Sequence, residues 1–136
     1  MEKIHLQPES LFGYFLKISE IPRGSKNEAQ ISAYLQNFGK ELGYETIADE
    51  VGNVLIKKPA SPGFENRKTI ILQGHMDMVC DKRPDVQHDF TKDPIKTWVD
   101  GEWLKAQGTT LGADNGIGVA AAMAILADRN LQHGPI

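Results

Sequence analysis

RKTIILQGHMD, residues 67–77, runs from two cations through an unbroken Ile70-Ile71-Leu72 into a histidine and an aspartate two positions apart. A short apolar run without polar alternation reads as a strand covered on both faces, the pattern of a central strand in an α/β sheet. Side chains two apart on an extended segment project to the same side. His75 and Asp77 therefore stand together beyond the carboxyl end of that strand, where open α/β sheets bind their ligands.

Upstream, Leu11, Phe15 and Ile18 recur at spacings of four and three, which predicts a helix from Pro8 to Ile18, closed before Pro22. In SKNEAQISAYLQNFGKELG, Ser25 and Glu28 have the spacing of a capping box. Ile31, Leu35, Phe38 and Leu42 line one face, and Gly43 suits a C-terminal cap. Two strands follow, Tyr44 to Ala48 and Val51 to Lys57, with Gly52-Asn53 interrupting the pattern and KPASPGFEN forming an exposed turn. Downstream, residues 80–96 are polar, contain Pro84 and Pro94, and read as an irregular loop. KTWVDGEWLKA predicts a hairpin that turns at Asp100-Gly101, with Trp98 and Trp103 packed across it. Ile117 to Ala127 is apolar almost all round, as in a helix buried against a sheet. Helices and strands alternate, so the fold class is α/β.

With 136 residues, 40% of them hydrophobic and 24% charged, the chain can build one modest core and is one domain or part of one. A net charge of -3 with scattered Lys and Arg offers no basic surface for a phosphate backbone, so nucleic acid is not an expected partner. The single cysteine, Cys80, forms no internal disulfide, and MEKIHLQPES lacks the apolar centre of a signal peptide. No apolar run approaches the roughly 20 residues that cross a bilayer. A cytoplasmic protein without a membrane partner is expected.

Two places have the residue types for chemistry. A neutral imidazole is a good zinc ligand, and a nearby carboxylate fixes its tautomer and raises its basicity. His75 as ligand and Asp77 as its support fit that scheme, although a polar strand end with a solvated salt link has the same spacing. In GTTLGADNGIGVAAA, Asp114 stands among Gly108, Gly112, Gly116 and Gly118 at the entrance to the apolar helix. Glycines let backbone approach a ligand closely, and the carboxylate can face a cation. Asp114 or Asn115 as a simple helix cap is the plainer reading. Gly116, Gly118 and Ala121 also match the later part of a dinucleotide fingerprint, but no convincing strand leads into them and the chain ends too soon for the acidic residue expected about 20 positions on. Cys80 reads as a small apolar filler rather than a nucleophile. His5, His88 and His133 have no ligand spacing, and of these His88 lies in the loop after the His-x-Asp pair.

Together and in order, GHMDMVCDK, HDFTKDPI and DGEWLKAQGTTLGADNGIGVAAAMAIL resemble the N-terminal part of the aminoacyl-histidine (Xaa-His) dipeptidase family, two-metal exopeptidases related to aminoacylases and carboxypeptidases. The likeness extends over almost the whole chain. It implies a partial zinc-exopeptidase-like catalytic domain, with helices packed on a mixed central sheet. It also implies His75 as a metal ligand, Asp77 as the catalytic support beside it, and Asp114 as the carboxylate bridging two divalent ions. Zinc is the first expectation for these ions, with manganese or cobalt as alternatives. Such a pair acidifies a water and polarises a peptide carbonyl. A glutamate then serves as base. The implied substrates are dipeptides with C-terminal histidine, of the β-alanyl-histidine type among others.

The family's adjacent Glu-Glu pair does not occur in this sequence, and the chain stops at LQHGPI, where a further core strand is expected to begin. Residues 1–136 are therefore expected to be the N-terminal part of a catalytic domain, without the smaller dimerisation domain. Such a piece should be inactive by itself, while its parent is a homodimer. Uncovered sheet surface should favour self-association of the piece. A tripeptidase of the same superfamily is the nearest alternative, since TTLGADNG resembles its bridging-aspartate loop. That family carries a second Asp where Asn115 stands. A non-catalytic domain binding a partner or nucleotide is the alternative from another class.

Overall fold

The structure, a computed structural model, describes residues 5–136. Helix α1 (Glu9–Ser19) buries Phe15 and Ile18, and α2 (Ala29–Glu41) buries Ile31, Leu35 and Phe38, the stripes their spacing predicts. At the end of α2, Gly43 takes φ 80° and donates its N–H to the Lys40 carbonyl. A residue with a Cβ would be strained there.

The start of α2 differs from the expected capping box. Glu28 occupies the N-cap position without a side-chain cap bond, and its carboxylate accepts from the Lys26 N–H at 2.6 Å. The Ser25 hydroxyl donates instead to Asp77. A hydrogen bond to a carboxylate is stronger than one between neutral groups, so the distant acid wins the hydroxyl from the local cap.

Strands β1 (Glu45–Ala48) and β2 (Val54–Lys57) form an antiparallel hairpin beside α2. A second hairpin pairs β3 (Thr97–Asp100) with β4 (Trp103–Ala106). Asp100 pairs with Trp103, so the two-residue loop is Gly101-Glu102, one position later than the sequence suggests. Gly101, at φ 60°, supplies the positive φ that a two-residue hairpin loop requires. This register places Trp98 opposite Lys105 rather than toward Trp103. The Lys105 ammonium lies 5.8 Å from the Trp98 ring centroid, and Trp103 is 70% exposed, so the two tryptophans do not pack across the hairpin as expected.

Helix α3 (Ala113–Ala127) packs on α1 and adds Ala120, Met123 and Leu126 to a core shared with Phe15, Ile18, Ile31, Leu35 and Phe38. Its carboxyl end is closed by the buried Lys58, whose Nζ donates to the carbonyls of Ile125 (2.9 Å) and Asp128 (2.7 Å). A cation suits the negative end of a helix dipole. No helix among the described residues is long and apolar enough to cross a membrane.

Residues 69–72 depart most from expectation. They join no strand ladder among the described residues, and Ile70, Ile71 and Leu72 are 58%, 82% and 41% exposed rather than covered on both faces. The reason is an open slot. Lys58 and Ile136 exchange both backbone hydrogen bonds, at 2.8 and 3.0 Å, in the reciprocal pattern of antiparallel strands. The Ile70 N–H donates to the Pro135 carbonyl at 3.0 Å. Pro135 and Ile136 thus sit at one end of a groove of about 920 Å³, lined by Val54, Ile56, Ile70, Leu72, Val119 and Met123. The apolar character of the 69–72 run is that of a strand with neighbours on both sides; in this chain those places are open.

Candidate functional site

Residues 74–78 lie alongside residues 23–25. Gly24 and Met78 form a parallel bridge, the Met78 N–H donates to the Arg23 carbonyl at 2.9 Å, and the Ser25 N–H donates to the Met78 carbonyl at 3.3 Å. Within this segment His75 and Asp77 do turn to the same side, as an extended backbone requires. Asp77 Oδ1 lies 3.0 Å from His75 Nδ1, while Asp77 Oδ2 accepts from Ser25. The other ring nitrogen, His75 Nε2, lies 3.0 Å from Asp114 Oδ1, 39 positions along the chain. The structure therefore joins Ser25, Asp77, His75 and Asp114 in one hydrogen-bonded line.

The entrance to α3 places Asp114. Gly112 takes a left-handed φ of 78°, and Asp114 (φ -94°, ψ 102°) and Asn115 (φ -112°, ψ 31°) leave helical geometry before the regular turns begin. No side chain makes a cap bond there, so Asp114 and Asn115 do not serve as the simple cap that the sequence also allowed. The Asn115 amide fills a space that two glycines vacate. A Cβ on Gly74 would approach Asn115 Oδ1 to 2.6 Å, and a Cβ on Gly118 would overlap the same atom. Gly118 is thus occupied by packing rather than open to a pyrophosphate. A loop, residues 107–112, leads into α3 from the β3/β4 hairpin, so the strand that a dinucleotide site needs is not in place.

Charge completes the arrangement. The Asp114 hydrogen bond first, and the Asp77 bonds after it, hold the His75 pKa above the usual imidazole value despite partial desolvation. Asp77 is held below the usual carboxylate value, by the Ser25 hydroxyl first and by His75 after it. A ring with an acidic oxygen at each nitrogen favours the imidazolium, and a cation placed at Nε2 would take the position of that proton. Two atoms on one tetrahedral zinc ion, with bonds of roughly 2.0–2.2 Å, lie about 3.4 Å apart. The 3.0 Å separation of His75 Nε2 and Asp114 Oδ1 is that of a hydrogen bond, and the pair would open by a few tenths of an ångström to share an ion. Both side chains are open to solvent, at 54% and 95% exposed. Zinc sites take three or four protein ligands. No group of three or more His, Cys, Asp or Glu among the described residues is arranged to hold an ion, so His75 and Asp114 stand there without a third such donor.

The remaining candidates lie outside this line. Cys80 is exposed, and partial burial of its thiol raises its pKa, the opposite of an activated nucleophile. His88 packs edge-on against Phe90, with centroids 4.4 Å apart. His133 Nδ1 contacts the Gly134 carbonyl at 2.6 Å, and His5 is exposed. Two residues that the sequence reading did not assign to the site belong to its frame. Ser25 carried a signal, but its spacing to Glu28 pointed to a helix cap. Arg23, only 1% exposed, has no local pattern that marks it as buried.

No family model matches the chain. Over 135 residues, 99% of its length, it is 54% identical to the cytosol non-specific dipeptidase of Escherichia coli, of which it spans 28%. The aminoacylhistidine dipeptidase of Vibrio alginolyticus superposes with a TM-score of 0.94 and 51% identity, over 96% of this chain and 27% of that one. A tripeptidase from Staphylococcus aureus superposes at 0.74 with 23% identity, over 96% of this chain and 35% of its own, a likeness of fold alone. The chain thus spans little more than a quarter of the dipeptidases it resembles, and its mixed α/β fold is the one they have in the matching region.

Proposed function

We propose that residues 1–136 are the N-terminal part of the catalytic domain of a metal-dependent dipeptidase acting on Xaa-His dipeptides. The observation that carries this reading is the placement of His75 Nε2 and Asp114 Oδ1 at 3.0 Å, with Asp77 at the opposite ring nitrogen. In this reading His75 and Asp114 would hold divalent metal, zinc first and manganese or cobalt as alternatives, with Asp114 the carboxylate that would serve both ions. Asp77 acts through His75: accepting the Nδ1 proton leaves the Nε2 lone pair free for the ion. When bound, the ions supply Lewis acidity and an acidified water.

Residues 5–136 provide one edge of that centre, and no glutamate stands in its hydrogen-bonded line to serve as base. Hydrolysis therefore belongs to the longer polypeptide. The word cytosol in the name of the Escherichia coli relative supports a cytoplasmic location. Dipeptidase is favoured over tripeptidase by the identities, 54% and 51% against 23%.

Peptide hydrolysis before and after chelation tests the reading. A polypeptide extended past Ile136 is expected to cleave β-alanyl-histidine, to lose that activity on chelation and to recover it with zinc or manganese. The 136-residue chain is expected to cleave nothing. Cleavage of tripeptides with no action on dipeptides would move the assignment to the tripeptidases, and full activity after exhaustive metal removal would sink the metal reading.

The open edge has a consequence for partners. Unpaired strand backbone beside exposed Ile70 and Ile71 is a template for pairing with another chain. The 136-residue chain is expected to self-associate through residues 69–74, with the longer parent as a homodimer. Ile71→Lys, at a position 82% exposed, should shift sedimentation toward monomer without lowering the melting temperature. A wild-type chain that sediments as a monomer at every concentration tested would contradict this.

A further inference from the structure

We propose that Arg23 is a positioning residue of this site: its buried guanidinium spans the two segments that carry His75 and Asp114 and sets the distance between them. The proposal rests on the reading of His75 and Asp114 as metal ligands. Arg23 is the largest fully buried side chain among the described residues. Its Nη1 donates to the Met76 carbonyl at 3.2 Å, between His75 and Asp77. Its Nη2 donates to the Gly112 carbonyl at 2.8 Å, two residues before Asp114. Both acceptors are backbone atoms of ligand-bearing segments, so the planar guanidinium fork ties those segments together at a fixed spacing.

Three further observations point the same way. A Cβ at Gly112 or Gly116 would approach Arg23 Nη2 to 2.5 or 2.8 Å, so the loop holding Asp114 is shaped around the guanidinium. The Arg23 carbonyl accepts from the Met78 N–H, and Ser25, two residues on, holds Asp77, so one short segment fixes the His75 strand end by backbone and side chain together. Arg23 also makes no ion pair among the described residues, and its Nε is buried without a partner. Burying a guanidinium on those terms is unfavourable, and an apolar side chain would fill the volume at less expense. What an apolar side chain cannot do is bridge two carbonyls.

Nuclear magnetic resonance of the metal-free chain at one fixed pH reads the proposal directly. Asp114→Ala defines the Nε2 ¹⁵N shift of His75 when its contact with Asp114 is gone. Arg23→Lys has a single ammonium that cannot span both carbonyls, and is expected to move that shift more than halfway to the Asp114→Ala value. It should also weaken zinc binding at least tenfold by calorimetry. Ile31→Val, in the same core but away from the site, should lower the melting temperature and leave both readouts unchanged. An Nε2 shift that stays at its wild-type value in Arg23→Lys overturns the proposal, whatever happens to stability. If Arg23→Lys does not fold, the wild-type chain still decides: slow rotation with resolved Nη protons is expected, and a freely rotating guanidinium overturns the proposal. Wild-type zinc affinity in both His75→Ala and Asp114→Ala would instead remove the metal reading, leaving the His75 shift as the test of Arg23.

Discussion

Alanine at His75 or at Asp114 is expected to abolish zinc binding by the 136-residue chain while leaving its fold intact. Each side chain supplies one of the two donor atoms found 3.0 Å apart, so either substitution leaves a single donor in place of the proposed pair. Loss of a supporting hydrogen bond to a metal ligand costs roughly 10–100-fold in affinity, and loss of the ligand itself exceeds that. Stability should change little, because the side chains are 54% and 95% exposed and surface substitutions usually stay within about 0.5 kcal/mol. Calorimetric titration with zinc, paired with thermal unfolding of each variant, reads both quantities. A zinc isotherm common to wild type and both variants would show that the His75–Asp114 pair holds no ion in this chain.

How much of this was legible in the sequence follows from the range of each interaction. Helices α1 and α2 come from apolar spacing within a few turns, and the structure keeps both stripes. The left-handed Gly43 at the end of α2 is equally local. Ser25 shows where local rules fail: its spacing to Glu28 fits a cap, but a carboxylate 52 positions away competes for the same hydroxyl and takes it. The glycines around Asp114 were visible, yet their purpose was not. Gly112 and Gly116 make room for Arg23, and Gly74 and Gly118 for Asn115, pairings that no run of neighbours encodes. The run 69–72 has the composition of a strand with both faces covered. Among the described residues only Pro135 and Ile136, at the mouth of the slot, lie alongside it, and its side chains stay exposed.

Gly112→Ala is expected to destabilise the fold by about 2–5 kcal/mol, a large part of the roughly 5–15 kcal/mol that holds a domain together. Two effects add. At φ 78° the backbone is left-handed, where a residue with a Cβ is worse by roughly 1–2 kcal/mol. The new Cβ would also stand 2.5 Å from Arg23 Nη2 and 2.8 Å from Met78 Sδ. Neither neighbour can easily yield, since Arg23 is held by two carbonyls and Met78 is 3% exposed in a pleated contact with residues 23–25. Relief means breaking a buried hydrogen bond, at about 1–3 kcal/mol, or shifting the loop at a similar expense. Gly63→Ala separates the two effects, because Gly63 has φ 86° but nothing within 4 Å of its missing Cβ. Urea unfolding should therefore show Gly63→Ala losing only the backbone contribution and Gly112→Ala losing at least twice as much. Equal losses would mean that the guanidinium does not shape this loop. Since the Gly112 carbonyl is itself an acceptor of Arg23, displacing it should carry Asp114 away from His75, linking the stability of the loop to the geometry of the donor pair.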